Sequence, residues 1–152
     1  MRKLLIIVCS IIILDQLTKR LVASMMELGQ SVTLINNFLY LTYVRNPGAA
    51  FGMFPYQTAF FIAITLVVAV LILYYYRYLS EDHRWMRLGL SLQLGGALGN
   101  LIDRVTVAYV IDFINFTAWP PVFNLADTAI VLGIGIFLVA FWRDLNLQGE
   151  RS

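Results

Sequence analysis

The sequence predicts a membrane all-α fold, with four transmembrane helices and a small extracytoplasmic β-sheet. Of the 152 residues, 60% are hydrophobic and 13% are charged, and that charged share is about half the ~25% typical of soluble domains. The apolar residues come in long runs rather than with amphipathic spacing, so a soluble fold of this length could not bury them. No internal repeat or linker interrupts the chain, which indicates one domain over residues 1–152.

A helix needs about 20 mostly apolar residues to cross the hydrocarbon core of a bilayer. Four segments are predicted to do so, approximately residues 4–22, 58–76, 88–102 and 122–142. The first is apolar as far as Leu14, the second carries no charge, and the third is short but uncharged until Asp103. The fourth contains a carboxylate, Asp127, within an otherwise apolar run.

The amino terminus also fits a second interpretation, because two basic residues before an apolar run are typical of a secretory signal, and Cys9 could then be a lipid-anchored residue. The apolar run before Cys9 is only Leu4 to Val8, too short for such a signal, and Val8 stands where a small residue is needed. The segment is therefore expected to be a retained helix.

The basic residues predict the orientation, since Lys and Arg collect on the cytoplasmic side of membrane proteins. With both termini inside, seven of the eleven Lys and Arg residues are cytoplasmic: Arg2, Lys3, Arg77, Arg84, Arg87, Arg143 and Arg151. The other four, Lys19, Arg20, Arg45 and Arg104, are then outside.

Two connections face outward in this topology, about residues 23–57 and 103–121. The first contains "SVTLINNFLYLTYV", whose β-branched and aromatic residues predict a small sheet at the interface. The second contains "VAYVIDFINF", again extended in character, with Asp112 in its middle. Pro120 and Pro121 follow and are expected to reset the chain for the last helix.

Four carboxylates converge on this outer side: Asp15, Asp103, Asp112 and Asp127. If the helices bundle, the first, third and fourth each bring one carboxylate to the same depth, and the outer connection supplies another. Counted from Pro121, Asp127 lies six residues along the fourth helix, so at ~1.5 Å per residue it is expected about 9 Å below the helix start. The four carboxylates therefore predict a functional site.

Structural interpretations stand beside this functional one. Asn124 and Asp127 match a variant of the capping box at a helix start, which does not exclude a second role. Asp15 with Lys19, and Asp103 with Arg104, are expected to be neutralised pairs that make a polar helix end tolerable. The glycines, which are expected to permit close helix packing, are Gly89, Gly95, Gly96, Gly99, Gly133 and Gly135.

The available side chains restrict the chemistry. The one histidine, His83, lies in a charged loop, and the one cysteine, Cys9, is expected to be buried halfway along a helix without a base, so nucleophilic catalysis and a Cys/His metal site are disfavoured. The net charge of +2 does not suggest a nucleic-acid partner. Two neighbouring aspartates remain. Such a pair shares one proton and can activate water for amide hydrolysis without a covalent intermediate.

The sequence strongly resembles bacterial lipoprotein signal peptidase, also called signal peptidase II. The resemblance covers nearly the whole chain and rests on five blocks in the family's order: "DQLTK" (15–19), "RNPGAAFG" (45–52), "GGALGNLIDR" (95–104), "VIDFI" (110–114) and "FNLAD" (123–127). Five such blocks at compatible spacing are highly specific.

The resemblance implies a catalytic aspartate dyad of Asp112 and Asp127. It also implies substrate-binding or supporting roles for Asn46, Gly48, Asn100, Arg104, Asn124, Asp15, Lys19 and Asp103. The implied reaction is cleavage of prolipoproteins before a cysteine that carries diacylglycerol, in the bacterial cytoplasmic membrane near its outer face, with no metal or other cofactor and with inhibition by globomycin.

The family's fold adds a β-cradle and a short outer helix to the four membrane helices. Two departures from the family pattern are visible: Ala108 stands where a glycine is common, and the connection from Phe113 to Val122 is compact. The first bears on the loop geometry and the second on the shape of the substrate groove, and neither involves the dyad.

Two other functions fit part of the sequence pattern. A small proton-coupled transporter or channel would also carry an intramembrane carboxylate, and it predicts polar residues at the bilayer midplane. The predicted second and third helices are uncharged before Asp103, which disfavours a continuous path. A membrane scaffold with capped helix ends would leave Asp112 unexplained. Both rank below the peptidase.

Overall fold

The structure, a computed structural model, describes residues 1–48 and 56–149, and in these it contains four helices and a four-stranded sheet. The helices are α1 (Arg2–Met25), α2 (Thr58–Tyr78), α3 (Arg84–Val107) and α4 (Leu125–Gly149). The strands are β1 (Ser31–Ile35), β2 (Leu39–Asn46), β3 (Val110–Phe116) and β4 (Trp119–Phe123). No short outer helix occurs among the described residues. Residues 49–55 of the first outer connection, and Arg151, lie outside them.

The predicted start of the fourth helix, at Val122, is wrong by three residues. Trp119 and Phe123 pair with β3 in an antiparallel register, so this stretch is strand β4, and α4 begins only at Leu125. Asp127 consequently lies in the first turn of α4, and the predicted depth of about 9 Å is also wrong. The two prolines fit this placement, because a strand at the edge of a sheet tolerates residues without an N–H donor.

Helix α3 packs against each of the other three helices, and glycines permit its closest approaches. A Cβ added at Gly89 would lie 2.6 Å from the carbonyl oxygen of Gly133, and a Cβ at Gly133 would lie 2.6 Å from that of Gly89. A Cβ at Gly95 would lie 2.9 Å from Cβ of Ile11 on α1. The predicted packing role is therefore correct for these glycines, as small residues let helix backbones meet. It is wrong for Gly135, where a Cβ would meet nothing within 4 Å.

The outward faces of the helices are apolar and exposed. On α2, for example, Val67 and Val70 are 60% and 65% exposed. Helix α2 and residues 125–146 of α4 have mean hydropathies of 2.5 and 2.1, and both are long and apolar enough to cross a membrane. Beneath these faces lies a core of Leu4, Val8, Ala69, Ile72, Tyr76, Leu90 and Leu94.

The predicted sheet forms at one end of the bundle as an antiparallel meander in the order β1-β2-β3-β4. A smaller core of Val22, Tyr43 and Phe113 fixes it to the end of α1. The compact connection noted in the sequence is the β3–β4 hairpin, in which Phe116 pairs with Trp119. The central strand β3 thereby carries Asp112, which is 2% exposed, to the bundle.

Ala108 makes the turn between α3 and β3. Its φ of 65° and ψ of 8° place it in the left-handed region, where a side chain is unfavourable and glycine is preferred. The carbonyl oxygen of Ala108 accepts a hydrogen bond from Thr58 Oγ1 at 3.1 Å. This conformation gives a physical reason for the glycine that the resemblance leads one to expect here, and the chain adopts the turn with alanine instead.

Candidate active site

Two groups of buried or partly buried carboxylates lie at the sheet end of the bundle. The first, here called the ionic cluster, consists of Asp15, Lys19 and Asp103. Lys19 Nζ lies 2.8 Å from Asp15 Oδ2 and 2.9 Å from Asp103 Oδ2. The predicted pair of Asp15 and Lys19 is confirmed. The predicted pair of Asp103 and Arg104 is wrong, because the ion pair of Asp103 is with Lys19 across the α1–α3 contact.

The ionic cluster depends on the close approach of α1 and α3. A Cβ at Gly99 would lie 2.7 Å from Asp15 Oδ2, so even a methyl group would push that carboxylate away. Asp15 Oδ1 accepts the backbone N–H of Ala126 on α4 at 2.9 Å, and Asp103 Oδ2 accepts that of Ile111 on β3 at 3.3 Å. The cluster therefore joins three helices to the sheet.

Sequence reasoning missed one member of this network, Gln16. Its Nε2 donates to Asp103 Oδ1 at 2.7 Å and to the carbonyl oxygen of Gly99 at 3.2 Å. The signal was present, because Gln16 and Lys19 are three residues apart and share a helix face, within the same polar end of the first apolar run.

The second group, here called the aspartate pair, is Asp112 on β3 and Asp127 on α4. Asn124 connects them: its Nδ2 donates to Asp112 Oδ1 at 2.7 Å, and its backbone N–H donates to Asp127 Oδ2 at 3.2 Å. The remaining oxygens accept from other amides, Asp112 Oδ2 from Asn46 Nδ2 at 3.0 Å and Asp127 Oδ1 from Asn100 Nδ2 at 2.7 Å.

The start of α4 contributes the bond that completes this arrangement. The backbone N–H of Asp127 donates to Asn124 Oδ1 at 2.9 Å, so Asn124 and Asp127 form the reciprocal capping box that their spacing predicts. Asn124 is completely buried. The same side chain thus caps the helix and holds Asp112, so the capping role and a role at the site occur together.

The electrostatic setting of the aspartate pair differs from that of the ionic cluster. Within residues 1–48 and 56–149, no ion pair includes Asp112 or Asp127, and the hydrogen bonds described above come from neutral amides. Burial, and next the negative charge of Asp127, raise the pKa of Asp112 to about 7, against the hydrogen bonds from Asn46 and Asn124. A carboxyl group in this setting retains its proton near neutral pH.

Arg104 of α3 and Gly48, two residues beyond the end of β2, extend the site. Arg104 Nη2 donates to the carbonyl oxygen of Gly48 at 3.2 Å, and the Gly48 N–H donates to Asn46 Oδ1 at 3.0 Å. The Arg104 guanidinium also lies 5.1 Å from the centre of the Phe61 ring. Arg104 is thereby linked, through Gly48 and Asn46, to Asp112.

A cavity of about 690 Å³ opens in front of the aspartate pair. Six of the ten predicted site residues line it: Asn46, Gly48, Asn100, Arg104, Asp112 and Asp127. Its other walls are largely apolar and include Phe116, Trp119, Phe123, Ile130 and Val131. Asn124 lies behind the pair, and the ionic cluster lies outside the cavity wall. The structure therefore brings the predicted residues together and divides them into a lined cavity and a supporting cluster.

The position of the polar groups bears on the transporter alternative. Among the described residues, the fully buried polar side chains all belong to the two carboxylate groups and their amide partners, with the exception of Ser91. Ser91 donates its hydroxyl to the carbonyl oxygen of Arg87 one turn earlier. No line of buried polar groups therefore runs through the described part of the bundle, as a conducting path would require.

The remaining reactive side chains lie away from the site. Cys9 is exposed on α1, so the expectation that it is buried is wrong. His83, in the α2–α3 connection, has its Nε2 3.5 Å from Oδ1 of Asp144 on α4. In the part of the chain that the structure describes, no three His, Cys, Asp or Glu side chains are grouped as metal ligands.

A comparison with protein families identifies the chain. The profile of the peptidase A8 family, described as signal peptidase (SPase) II, matches residues 7–143. The chain belongs to the signal peptidase II family. This match includes both members of the aspartate pair and the ionic cluster, and it confirms the resemblance drawn from the five sequence blocks.

Curated relatives agree over nearly their whole length. The chain is 45% identical over 148 residues to a lipoprotein signal peptidase of Moorella thermoacetica, covering 97% of this chain and 96% of the relative. It is 44% identical over 138 residues to a lipoprotein signal peptidase of Halothermothrix orenii, covering 91% and 94%.

Solved structures support the fold of this signal peptidase II family member. It is similar to a bacterial membrane enzyme solved by the in meso method at 2.3 Å, with a TM-score of 0.89 and 33% identity over 95% of this chain and 90% of that one. A second bacterial membrane enzyme, solved by the same method at 1.9 Å, gives a TM-score of 0.86 and 33% identity over 95% of each chain.

Proposed function

We propose that this chain is an aspartic endopeptidase that removes the signal peptide from diacylglyceryl-modified prolipoproteins, cutting before the lipidated cysteine. The observation that carries the proposal is the aspartate pair, in which the buried Asp112 and the partly buried Asp127 share Asn124 as a donor and both face one cavity. Family membership and the curated relatives, which are lipoprotein signal peptidases, support the substrate class.

The reaction begins with Asp112 protonated and Asp127 ionised. The raised pKa of Asp112 supports this assignment, and the positive end of the α4 dipole favours negative charge on Asp127. A water molecule between the carboxyl groups gives its proton to Asp127 and attacks the scissile carbonyl carbon, while Asp112 donates its proton to the carbonyl oxygen. A tetrahedral diol results.

Collapse of the diol completes the cleavage. Asp127 passes the proton that it received to the leaving nitrogen as the carbon–nitrogen bond breaks. Asp112 recovers its proton from a hydroxyl group of the diol as the new carboxyl group forms. The pair returns to its starting protonation, and no covalent intermediate is needed. Amide donors suit this cycle because they orient the carboxyl groups without fixing either one as ionised.

The cavity walls suit a lipidated peptide. Apolar side chains such as Phe116, Trp119 and Ile130 offer a surface for acyl chains. Arg104 and Gly48 lie at the polar side of the cavity, where they can hold the peptide backbone. Globomycin is expected to inhibit by occupying this same cavity.

The membrane placement follows the distribution of charge. All four helices are proposed to span the bacterial cytoplasmic membrane, with both termini in the cytoplasm and the sheet end near the outer face. Asp15 and Lys19 of α1 and Asp103 of α3 are buried against each other in the ionic cluster, which removes these three charges from lipid. The lone basic residues Arg2, Lys3 and Arg77 lie at the opposite end of the helices.

The test replaces each aspartate by asparagine. Asp112→Asn and Asp127→Asn keep the size of the side chain and part of its hydrogen bonding but cannot exchange a proton, so cleavage should fall by at least roughly 10²–10⁴-fold. The measurement is a gel assay with purified protein and a diacylglyceryl-modified prolipoprotein. Glu27→Gln, at an exposed turn residue, is the matched control and should cleave normally.

Full turnover by either asparagine variant would end the assignment of the pair. A thermal unfolding midpoint within a few degrees of the parent, measured in detergent, shows that the loss is not a folding defect. For the transporter alternative, the decisive result would be proton flux into liposomes that Asp127→Asn removes.

A further inference from the structure

Helix α4 carries a second cavity next to the one at the aspartate pair. It has a volume of about 730 Å³ and lies between α4 and the first turn of α3. The two cavities share Val131 and Leu132 as lining residues, so they adjoin along α4 and together extend from Thr128 beside the aspartate pair to Arg143. We call the two cavities together the α4 groove.

We propose that the α4 groove binds the hydrophobic segment of the substrate's signal peptide, an assignment that rests on the proposed function. The segment would lie antiparallel to α4. Its carboxyl end would enter the first cavity at Asp112 and Asp127, and its amino end would reach the far cavity at Asp82 and Arg143.

The groove surface is apolar and lacks partners within the described chain. Val131, Leu132 and Val139 are 68%, 56% and 60% exposed. An aliphatic surface that adjoins a catalytic cavity offers an apolar substrate segment contacts along its whole length, beyond those at the cut bond.

Gly135 lies in the middle of the groove. Glycine within a helix is less favourable than alanine, and at Gly133 the close contact with Gly89 explains why glycine is nevertheless present. At Gly135 a Cβ would meet nothing within 4 Å, so packing inside the chain does not explain it. A missing side chain at this point lets a second helix come close to the α4 backbone.

The length of the groove matches the proposed occupant. Thr128 and Arg143 are fifteen residues apart on α4, roughly 22 Å at ~1.5 Å per residue. The apolar region of a signal peptide has about 7–15 residues. As a helix, such a segment spans most of the distance between the far end of the groove and the aspartate pair.

The far end of the groove has balanced charge. Arg84 and Arg143 stand beside Asp82 and Asp144, and Asp144 lies 3.5 Å from His83. An anionic lipid headgroup requires a cluster of uncompensated basic residues, which this end does not present. Asp82 is exposed and forms no ion pair among the described residues, so its carboxylate can receive a basic residue from the start of the signal peptide.

The experiment fills the groove and compares two substrates. Gly135→Trp and Val139→Trp each place an indole ring in the groove, the latter at a position that is already exposed. Ala63→Trp, on the exposed face of α2, is the matched control. One substrate is a diacylglyceryl-modified prolipoprotein with its whole signal peptide, and the other is a diacylglyceryl peptide with only the few residues around the cut.

Both groove variants should raise KM for the long substrate about tenfold, which corresponds to the loss of roughly one apolar side chain's contacts. The kcat for the long substrate, and both constants for the short one, should stay at parent values, and Ala63→Trp should change neither substrate. An unchanged KM for the long substrate in both variants overturns the proposal, as does an equal loss on both substrates.

A loss on both substrates that depends on the fraction of anionic lipid in the vesicles would assign the groove to a phospholipid and would also overturn the proposal. Failure of the proposed function gives a different result, because the parent protein would then cleave neither substrate. Parent cleavage of both substrates with unaffected groove variants would remove the groove assignment alone.

Discussion

The ionic cluster and the aspartate pair lie side by side, and each contains two carboxylates, of which only Asp127 is partly rather than fully buried. In the first, Lys19 lies within 3 Å of both carboxylates, whereas in the second the donors are the amides of Asn46, Asn100 and Asn124. A cation makes two neighbouring negative charges tolerable and removes any need for a proton. Amides orient the carboxylates without neutralising them, so two neighbouring carboxyl groups held in this way favour a shared proton. The choice of donor therefore distinguishes the ionic cluster from the pair that is proposed to react.

The largest effect on stability is expected from a substitution that breaks the ionic cluster. Lys19→Met leaves Asp15 and Asp103 buried without their cation, and removing one partner of a buried ion pair costs about 3–5 kcal/mol. We expect the free energy of unfolding to fall by this amount, measured by denaturation in detergent. Lys3→Met, at an exposed lysine of the same helix, should change stability little. A stable, fully active Lys19→Met protein would contradict the supporting role of the cluster.

The next effect falls on the residue that connects the aspartate pair. Asn124→Ala removes the side-chain donor to Asp112 and the cap acceptor for the Asp127 N–H. Lost buried hydrogen bonds cost about 1–3 kcal/mol, and cleavage should fall by more than that loss of stability explains. Asn115→Ala, which removes only the bond to Thr42 Oγ1 on β2, is the matched control. Equal activity of the two variants would contradict the bridging role.

The pH dependence of kcat and of stability should report on the aspartate pair. Because Asp112 is the proposed acid and its pKa is raised to about 7, kcat should fall about tenfold per pH unit as pH rises above that value. The native state also binds this proton more tightly than the unfolded state does, so stability should decline as pH rises from 3.8, its usual pKa, to about 7.

Asp112→Asn should remove its own contribution to that decline in stability, whereas Glu27→Gln should keep it. The measurement is the unfolding midpoint at a series of pH values. A decline that is identical in the parent and in Asp112→Asn would place the titrating group elsewhere.

The smallest effect on stability is expected at the turn between α3 and β3, which precedes Asp112 and belongs neither to the ionic cluster nor to the aspartate pair. Ala108 has a φ of 65°, so Ala108→Gly should relieve strain, offset in part by the greater freedom of glycine in the unfolded chain, for a net gain of about 0.5–1 kcal/mol. Thermal unfolding should show a slightly higher midpoint with unchanged kcat. Ala63→Gly on α2, where the helix needs no left-handed residue, should lower the midpoint instead.

Features that follow local sequence patterns were predicted well, whereas features that depend on packing between distant segments were not. The first three apolar runs, the sheet-forming segment and the Asn124–Asp127 capping box follow local patterns, and the structure has a helix, a sheet and a capping box at these places. The start of α4 was placed too early because Val122 and Phe123 are equally apolar in a helix or a strand, and only pairing with β3 decides between them. The partner of Asp103 was wrong for a related reason: Arg104 is its neighbour in sequence, but Lys19 becomes its neighbour only when α1 packs on α3.

The same limit explains Gly135 and Cys9. A glycine in an apolar helix indicates a close approach, but the sequence does not say whether the approaching atoms belong to the chain. Gly133 contacts α3, whereas Gly135 faces outward. Residues two positions apart point to nearly opposite sides of a helix. Cys9 lies on the exposed side of α1 for the same geometric reason.

The position of Asn124 has a consequence for how the enzyme can change over time. Its backbone N–H and its side-chain amide hold one aspartate each, so the spacing of the proposed catalytic groups is set within a single amino acid at the junction of strand and helix. Substitutions in the walls of the neighbouring cavity are therefore expected to alter which substrates fit, without changing the geometry of the pair. Resistance to a cavity-filling inhibitor would be expected to arise in those walls.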